Sequence, residues 1–159
     1  RDLRKCFERK ESIMNREETL KKFNTYSSLF LVLGVLDLVL IWLSFGNKDM
    51  IALLHGGGSA AASALRVLFL VTVVLGVILA VLKFYVGIQG LRQVKGNARG
   101  DLHLKVARGT MILSMISLVL SLLMILKGGG DASDALLDLV AVIFLAQYVK
   151  FGKTLMTMK

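Results

Sequence analysis

Long apolar stretches alternate with short polar segments along this chain of 159 residues. At a rise of about 1.5 Å per residue, a helix of roughly 17–25 residues crosses a hydrocarbon core of about 30 Å. Four stretches qualify, and in each of them apolar residues occupy the whole circumference of a helix instead of one stripe. They cover residues 26–45, 67–90, 110–126 and 135–151. The pattern predicts an all-α, polytopic membrane protein with four transmembrane helices in an antiparallel bundle.

The composition fits one membrane domain. Hydrophobic residues make up 55% of the chain and none of its residues is proline, so no proline kinks a span or marks a linker. We predict a four-helix transmembrane domain over 26–151, a basic cytoplasmic N-terminal helix over 1–25, and a cytoplasmic tail over 152–159. The N-terminal helix either rests on the inner leaflet or docks a partner.

Positive charge is distributed unevenly between the connecting segments. Sixteen of the 20 lysines and arginines lie before the first span, between the second and third, or at and after the end of the fourth. Lys48, Arg66 and Lys127 lie in the other connections, and Lys83 lies inside a span. Because positively charged loops stay in the cytoplasm during insertion, both termini are predicted to be cytoplasmic. The net charge of +9 indicates contact with an anionic inner leaflet, and we expect no nucleic-acid partner because no recognised binding motif is present.

Amphipathic aromatic residues fall near the predicted membrane boundaries. Tyr26, Tyr85 and Tyr148 lie near the inner ends of spans, and Trp42 lies near the outer end of the first span. Such rings prefer these depths, so we expect all four at the membrane interface.

Two charged residues interrupt the first and second spans. An ionised carboxylate such as Asp37, near the middle of a span, costs about 3 kcal/mol on insertion scales, so it needs a partner or a protein environment. Lys83 is the candidate partner, although its long side chain could also reach the headgroups. Gly76, Ala80, Lys83 and Gly87 form one stripe at helical spacing. The small residues of that stripe predict a close helix-packing face.

Span three carries a second polar stripe. Thr110, Ser114, Ser117 and Ser121 are spaced by four, three and four residues, which places their hydroxyls on one helix face. Such a face either bonds to neighbouring helices and carbonyls or lines a polar path. Asp138 lies about one turn inside span four, where it can reach water.

The two halves of the chain resemble each other faintly. Residues 35–40 read V-L-D-L-V-L and residues 115–120 read M-I-S-L-V-L, which matches Asp37 with Ser117. Both hairpins begin on the inner side, so a duplication would relate them by an axis along the membrane normal. Chance similarity between apolar segments is the alternative.

Residues that could hold a metal or a cofactor are few. Cys6 is the single cysteine, so the chain has no internal disulfide. His55 and His103 are predicted on opposite sides of the membrane as solvated loop residues. The glycine runs 56–58 and 128–130 lack the G-x-x-x-x-G-K-[ST] order of a phosphate loop. We therefore predict no cofactor, no metal site, no catalytic residue and no enzymatic activity.

Residues 85–98, which read Y-V-G-I-Q-G-L-R-Q-V-K-G-N-A, end span two and begin the following loop. This stretch resembles the inner loop of small four-span membrane proteins of anaerobic bacteria, proteins to which no activity is assigned. The resemblance implies a bacterial inner membrane and no particular chemistry.

Two functional classes remain open. We predict a non-enzymatic membrane subunit that packs against partner helices, in a homo-oligomer or with other membrane proteins, and the alternative is a small channel or transporter. In the second class Asp37, Lys83 and the hydroxyl stripe of span three would line a path for protons or a small solute.

Overall fold

The chain folds into four long helices in the computed structural model, which describes residues 2–46, 60–96, 100–126 and 132–157. Regular structure within those ranges is helical throughout. The helices are α1 (Asp2–Gly46), α2 (Ala60–Val94), α3 (Leu102–Leu126) and α4 (Ala132–Thr157). The predicted all-α four-helix fold is confirmed.

Every helix contains a segment that is long and apolar enough to cross a membrane. Large apolar side chains cover the outside of these segments, and Trp42 and Leu126 are among the most exposed. In water such a surface would be highly unfavourable, whereas hydrocarbon solvates it well. The protein is therefore a multi-pass membrane protein with its apolar surface toward lipid.

The helices are longer than the predicted spans. α1 has 45 residues and runs without a break through the boundary predicted at residue 25. No glycine precedes Gly34 and the chain has no proline, so nothing in this part of the sequence interrupts the helix. At about 67 Å its length is roughly twice the thickness of the hydrocarbon core, so its first half extends beyond the hydrocarbon. α3 likewise begins at Leu102, before the predicted start at residue 110.

The helices form a ring in chain order. The backbones of α1 and α2, α2 and α3, α3 and α4, and α4 and α1 approach closely, while those of the two diagonal pairs in the described ranges stay further apart. Gly34 lies opposite Ala80, and Ile41 lies opposite Gly76, so the numbering falls along α2 as it rises along α1. α1 and α2 are thus antiparallel, as predicted for neighbouring helices.

The main apolar core lies in the half of the bundle predicted to be on the inner side. Its largest members are aromatic: Tyr148 stacks on Phe23 with 4.5 Å between ring centroids and meets Phe30 edge-on at 5.5 Å. The core comprises Phe23, Phe30, Leu33, Val86, Leu104, Ala107, Leu145, Tyr148 and Leu155. Because some of these residues precede or follow the predicted spans, the packed bundle continues past the membrane on this side.

A short glycine-containing connection joins α2 to α3. Gly96 and Gly100 have φ angles of 75° and 87°, values that glycine adopts without steric cost. The amide of Gly96 donates to the carbonyl of Gln93 at 3.0 Å and ends α2. Asp101 immediately precedes α3, and its carbonyl accepts the amides of Leu104 and Lys105. The exposed ammonium of Lys105 bonds the Asp101 carboxylate and lowers the pKa of that carboxyl.

Candidate functional site

Small residues bring α1 and α2 into close contact. A Cβ atom added to Gly87 would lie 2.8 Å from the carbonyl oxygen of Ser27, and one added to Gly90 would overlap the Ser27 hydroxyl. Further along, a Cβ on Gly34 would lie 3.1 Å from the ring of Phe84. The backbones can approach only because these positions lack side chains.

The small-residue stripe predicted on span two lies in this same interface. A Cβ added to Gly76 would lie 3.1 Å from Ile41 Cδ1, and Ala80 is fully buried with its carbonyl against Gly34. The stripe therefore faces α1 of its own chain. A partner protein would have to use another surface.

Asp37 and Lys83 meet inside the bundle. The distance from Lys83 Nζ to Asp37 Oδ2 is 2.6 Å, and the two side chains are 1% and 12% exposed. The sequence left two positions open for the Lys83 ammonium, beside Asp37 or at the headgroups. In the structure the ammonium lies at the Asp37 carboxylate. Each charge compensates the other where neither could be hydrated, and loss of either partner would leave the other uncompensated.

The hydroxyl stripe of α3 faces the same interior. Thr110, Ser114, Ser117 and Ser121 are all buried, although their helix is apolar on its outer side. The Thr110 hydroxyl donates to the carbonyl of Val106 at 2.9 Å. The Ser114 Oγ is buried and makes no hydrogen bond within the described structure. Asp138, expected near water, is also buried. The interior of this bundle consequently contains several polar side chains in its membrane-spanning part.

Two residues of the interior were assigned to the wrong environment from the sequence. His103 was expected in a solvated loop, yet it is 4% exposed and its ring meets Tyr148 edge-on at 6.2 Å. The reason is that α3 begins early, so His103, Ala107, Thr110 and Ser114 continue one buried stripe at spacings of four, three and four. This spacing is visible in the sequence and could have identified His103 as a buried residue.

Tyr148 was expected at the membrane interface but is fully buried. Its hydroxyl donates to the carbonyl of Val86 on α2 at 3.1 Å. This bond connects two helices across the diagonal of the ring and fixes the ring of Tyr148 within the aromatic core.

Several residues considered from the sequence lie outside what the structure describes. These are His55, the glycine runs 56–58 and 128–130, and the side chain of Cys6. The predictions made for them stay predictions.

Comparison with protein-family models, curated proteins and solved structures finds no match to this chain. The class defined by the fold is an integral membrane protein with four spanning helices. The buried ion pair and the hydroxyl stripe are the features of that bundle that call for a functional explanation.

Proposed function

We propose that this protein moves protons or a small polar solute across the membrane, with Asp37 and Lys83 as its charged element. The observation that carries the proposal is the 2.6 Å ion pair between two side chains that are almost entirely buried within apolar spans. Ionisable residues at this depth are costly and usually serve a relay, a transport path or a ligand.

The distribution of polar groups around the pair supports a path through the bundle. Ser114 and Ser117 occupy the inward face of α3, while Met115 and Ile116 between them face outward. A helix that needed only to be stable in lipid could fill its inward face with apolar side chains. Hydroxyl groups along that face can exchange hydrogen bonds with a moving solute or proton.

Asp37 is the member of the pair suited to carry a proton, since it is the more exposed of the two. A proton that binds the carboxylate forms the neutral acid and weakens the bond from Lys83. The ammonium then lacks a counter-charge in a medium of low dielectric constant, which favours release of the same proton. Release to the opposite side transfers one proton and restores the ion pair.

The aromatic core would close the path on the inner side. Phe30 and Phe23 precede Asp37 on α1, and both pack against Tyr148. A transport cycle would require this layer to loosen while the ion pair is broken.

The membrane and orientation are part of the same proposal. We place both termini in the cytoplasm and the chain in a bacterial inner membrane with anionic lipids on its inner leaflet. The charge distribution supports the orientation, with sixteen of 20 basic residues on one predicted side.

A second candidate function is a non-enzymatic membrane subunit or oligomer. The observation that favours it is the closed geometry of the pair, because a direct 2.6 Å contact already satisfies both charges and can serve stability alone. A partner would then contact the exposed apolar surface, since the small-residue stripe packs within the chain.

Proteoliposomes with an imposed pH gradient distinguish the two candidates. We expect the wild-type protein to dissipate the gradient and the Asp37→Asn variant to lose this activity while eluting as the same folded species. Glu18→Gln is the matched control, because Glu18 forms an exposed pair with Lys22 and should leave flux unchanged. Wild-type flux equal to that of protein-free liposomes, for protons and for small solutes, would overturn the transport proposal.

A further inference from the structure

We infer that the bundle consists of two equivalent hairpins, α1–α2 and α3–α4, related by a pseudo-two-fold axis along the membrane normal. In this arrangement Ser117 and Leu145 are the counterparts of Asp37 and Lys83, and they form an uncharged second copy of the ion-pair site. The inference concerns the construction of the site and holds whether or not the pair transports anything.

The buried stripes of α1 and α3 coincide when 80 is added to each residue number of α1. Four buried positions on α1 then fall on four buried positions of α3. Phe23, Ser27, Phe30 and Gly34 correspond to His103, Ala107, Thr110 and Ser114. The same shift takes Asp37 to Ser117, the match suggested by the short sequence repeat.

The buried stripes of α2 and α4 coincide as well, when 62 is added to each residue number of α2. Here too, four buried positions correspond to four buried positions. Leu79, Lys83, Val86 and Gly90 correspond to Ala141, Leu145, Tyr148 and Gly152. Sequence similarity alone does not suggest this register, because apart from Gly90 and Gly152 these paired residues differ in type.

In two places a residue contacts its own counterpart in the other hairpin. A two-fold axis requires such contacts for residues that lie close to the axis. The ring of Phe23 meets the ring of His103 with 6.4 Å between centroids. The carbonyl of Val86 accepts the hydroxyl of Tyr148 at 3.1 Å. The first pair follows from the shift of 80 and the second from the shift of 62, so each supports the axis independently.

The two corresponding glycines both lie against the preceding helix of their own hairpin, although at positions that are not counterparts. A Cβ on Gly90 would overlap the hydroxyl of Ser27, and a Cβ on Gly152 would overlap the side chain of Leu104. Each glycine therefore marks the close approach of the two helices within its own hairpin.

The equivalence has a direct consequence for the charged site. Ser117 and Leu145 are both buried, as Lys83 is, while the side chain of Asp37 is 12% exposed. If the hairpins are equivalent, an aspartate and a lysine at these two positions face each other as the natural pair does. The charge pair should then function structurally in either hairpin.

Transplanting the pair tests the inference. The quadruple variant Asp37→Ser, Lys83→Leu, Ser117→Asp, Leu145→Lys moves the charges to the counterpart positions. Its control also carries Asp37→Ser and Lys83→Leu but places the charges through Ile116→Asp and Ala146→Lys, at neighbouring positions that are exposed. We expect the transplant to give monodisperse protein at about half the wild-type yield or better, and the control at roughly one-tenth or less. Equal yields of transplant and control would overturn the inference.

A second set of variants keeps the test decisive if the quadruple variant folds poorly. In the otherwise wild-type chain, Ser117→Asp and Leu145→Lys are made singly and together, and melting temperatures are measured in detergent. We expect the combined variant to melt higher than either single variant, because the new charges compensate each other. A combined variant that melts below both single variants would show that the positions do not face each other, and would also overturn the inference.

Discussion

At the scale of single residues, the buried charges of Asp37 and Lys83 compensate each other. Lys83 and Asp37 hold opposite charges 2.6 Å apart in a region where water could not hydrate either of them separately. The net stabilisation from such a pair is small, because desolvation offsets most of the attraction. The cost of removing one partner is large, since the other charge stays buried.

A double-mutant cycle measures this asymmetry. Asp37→Asn and Lys83→Met should each lower the free energy of unfolding by about 3 kcal/mol or more, and the double variant should lose less than the sum of the two. Melting temperatures in detergent give the comparison, with Glu18→Gln as the exposed-pair control that should not change. Additive losses would mean that the two side chains are not coupled.

The hydrogen bond between Tyr148 and Val86 provides a second residue-level prediction. Tyr148→Phe removes a buried 3.1 Å bond but keeps the aromatic packing, so we expect a loss of about 1 kcal/mol and a melting temperature lower by a few degrees. Tyr26→Phe, which retains its ring contacts with Phe144 and Phe151, is the control and should melt like the wild type. A Tyr148→Phe variant as stable as this control would show that the bond adds nothing.

The sequence identified some residues of the interior and missed others. Asp37, Lys83 and the hydroxyl stripe could be found because polar residues are rare in apolar spans. His103 and Tyr148 could not be assigned in the same way, since they lie near predicted span ends where water and protein are both plausible environments. The spacing of the α3 stripe extends back to His103, but it places His103 in the core only because the helix begins at Leu102.

At the scale of helices, close packing depends on glycines whose neighbours leave no room for a methyl group. Hydropathy predicted the four spans but not their full length, because residues beyond the hydrocarbon core are polar on their outer side and still helical. The small-residue stripe predicted on span two lies against α1 of the same chain.

Glycine-to-alanine substitutions should therefore have opposite effects at different positions. Gly87→Ala brings a methyl group to 2.8 Å from the Ser27 carbonyl oxygen and should destabilise the bundle by about 1–3 kcal/mol. Gly109→Ala, in α3, meets no atom within 4 Å and should stabilise by up to about 1 kcal/mol through helix propensity. Thermal unfolding of both variants shows the sign of each change. A stable Gly87→Ala protein would mean that α1 and α2 are further apart.

At the scale of the whole molecule, the distribution of polarity is the reverse of that in a water-soluble bundle. Apolar side chains such as Val67 and Leu126 face outward, while Lys83, Asp138 and the α3 hydroxyls lie inside. This arrangement is stable only if lipid surrounds the four spans. Each proposal made for the interior therefore depends on a membrane location of the four spans.

Labelling of single cysteines in intact cells tests that topology most directly. With Cys6→Ser as the background, cysteine replaces Gly57, Gly129 or Asn97, one in each connection between spans. An impermeant thiol reagent should label Gly57→Cys and Gly129→Cys in sealed cells and Asn97→Cys only after permeabilisation, because the distribution of sixteen of the 20 basic residues predicts that the termini and the middle connection are inside. Labelling of Asn97→Cys alone in sealed cells would contradict the orientation, and equal labelling of all three would contradict the four spans.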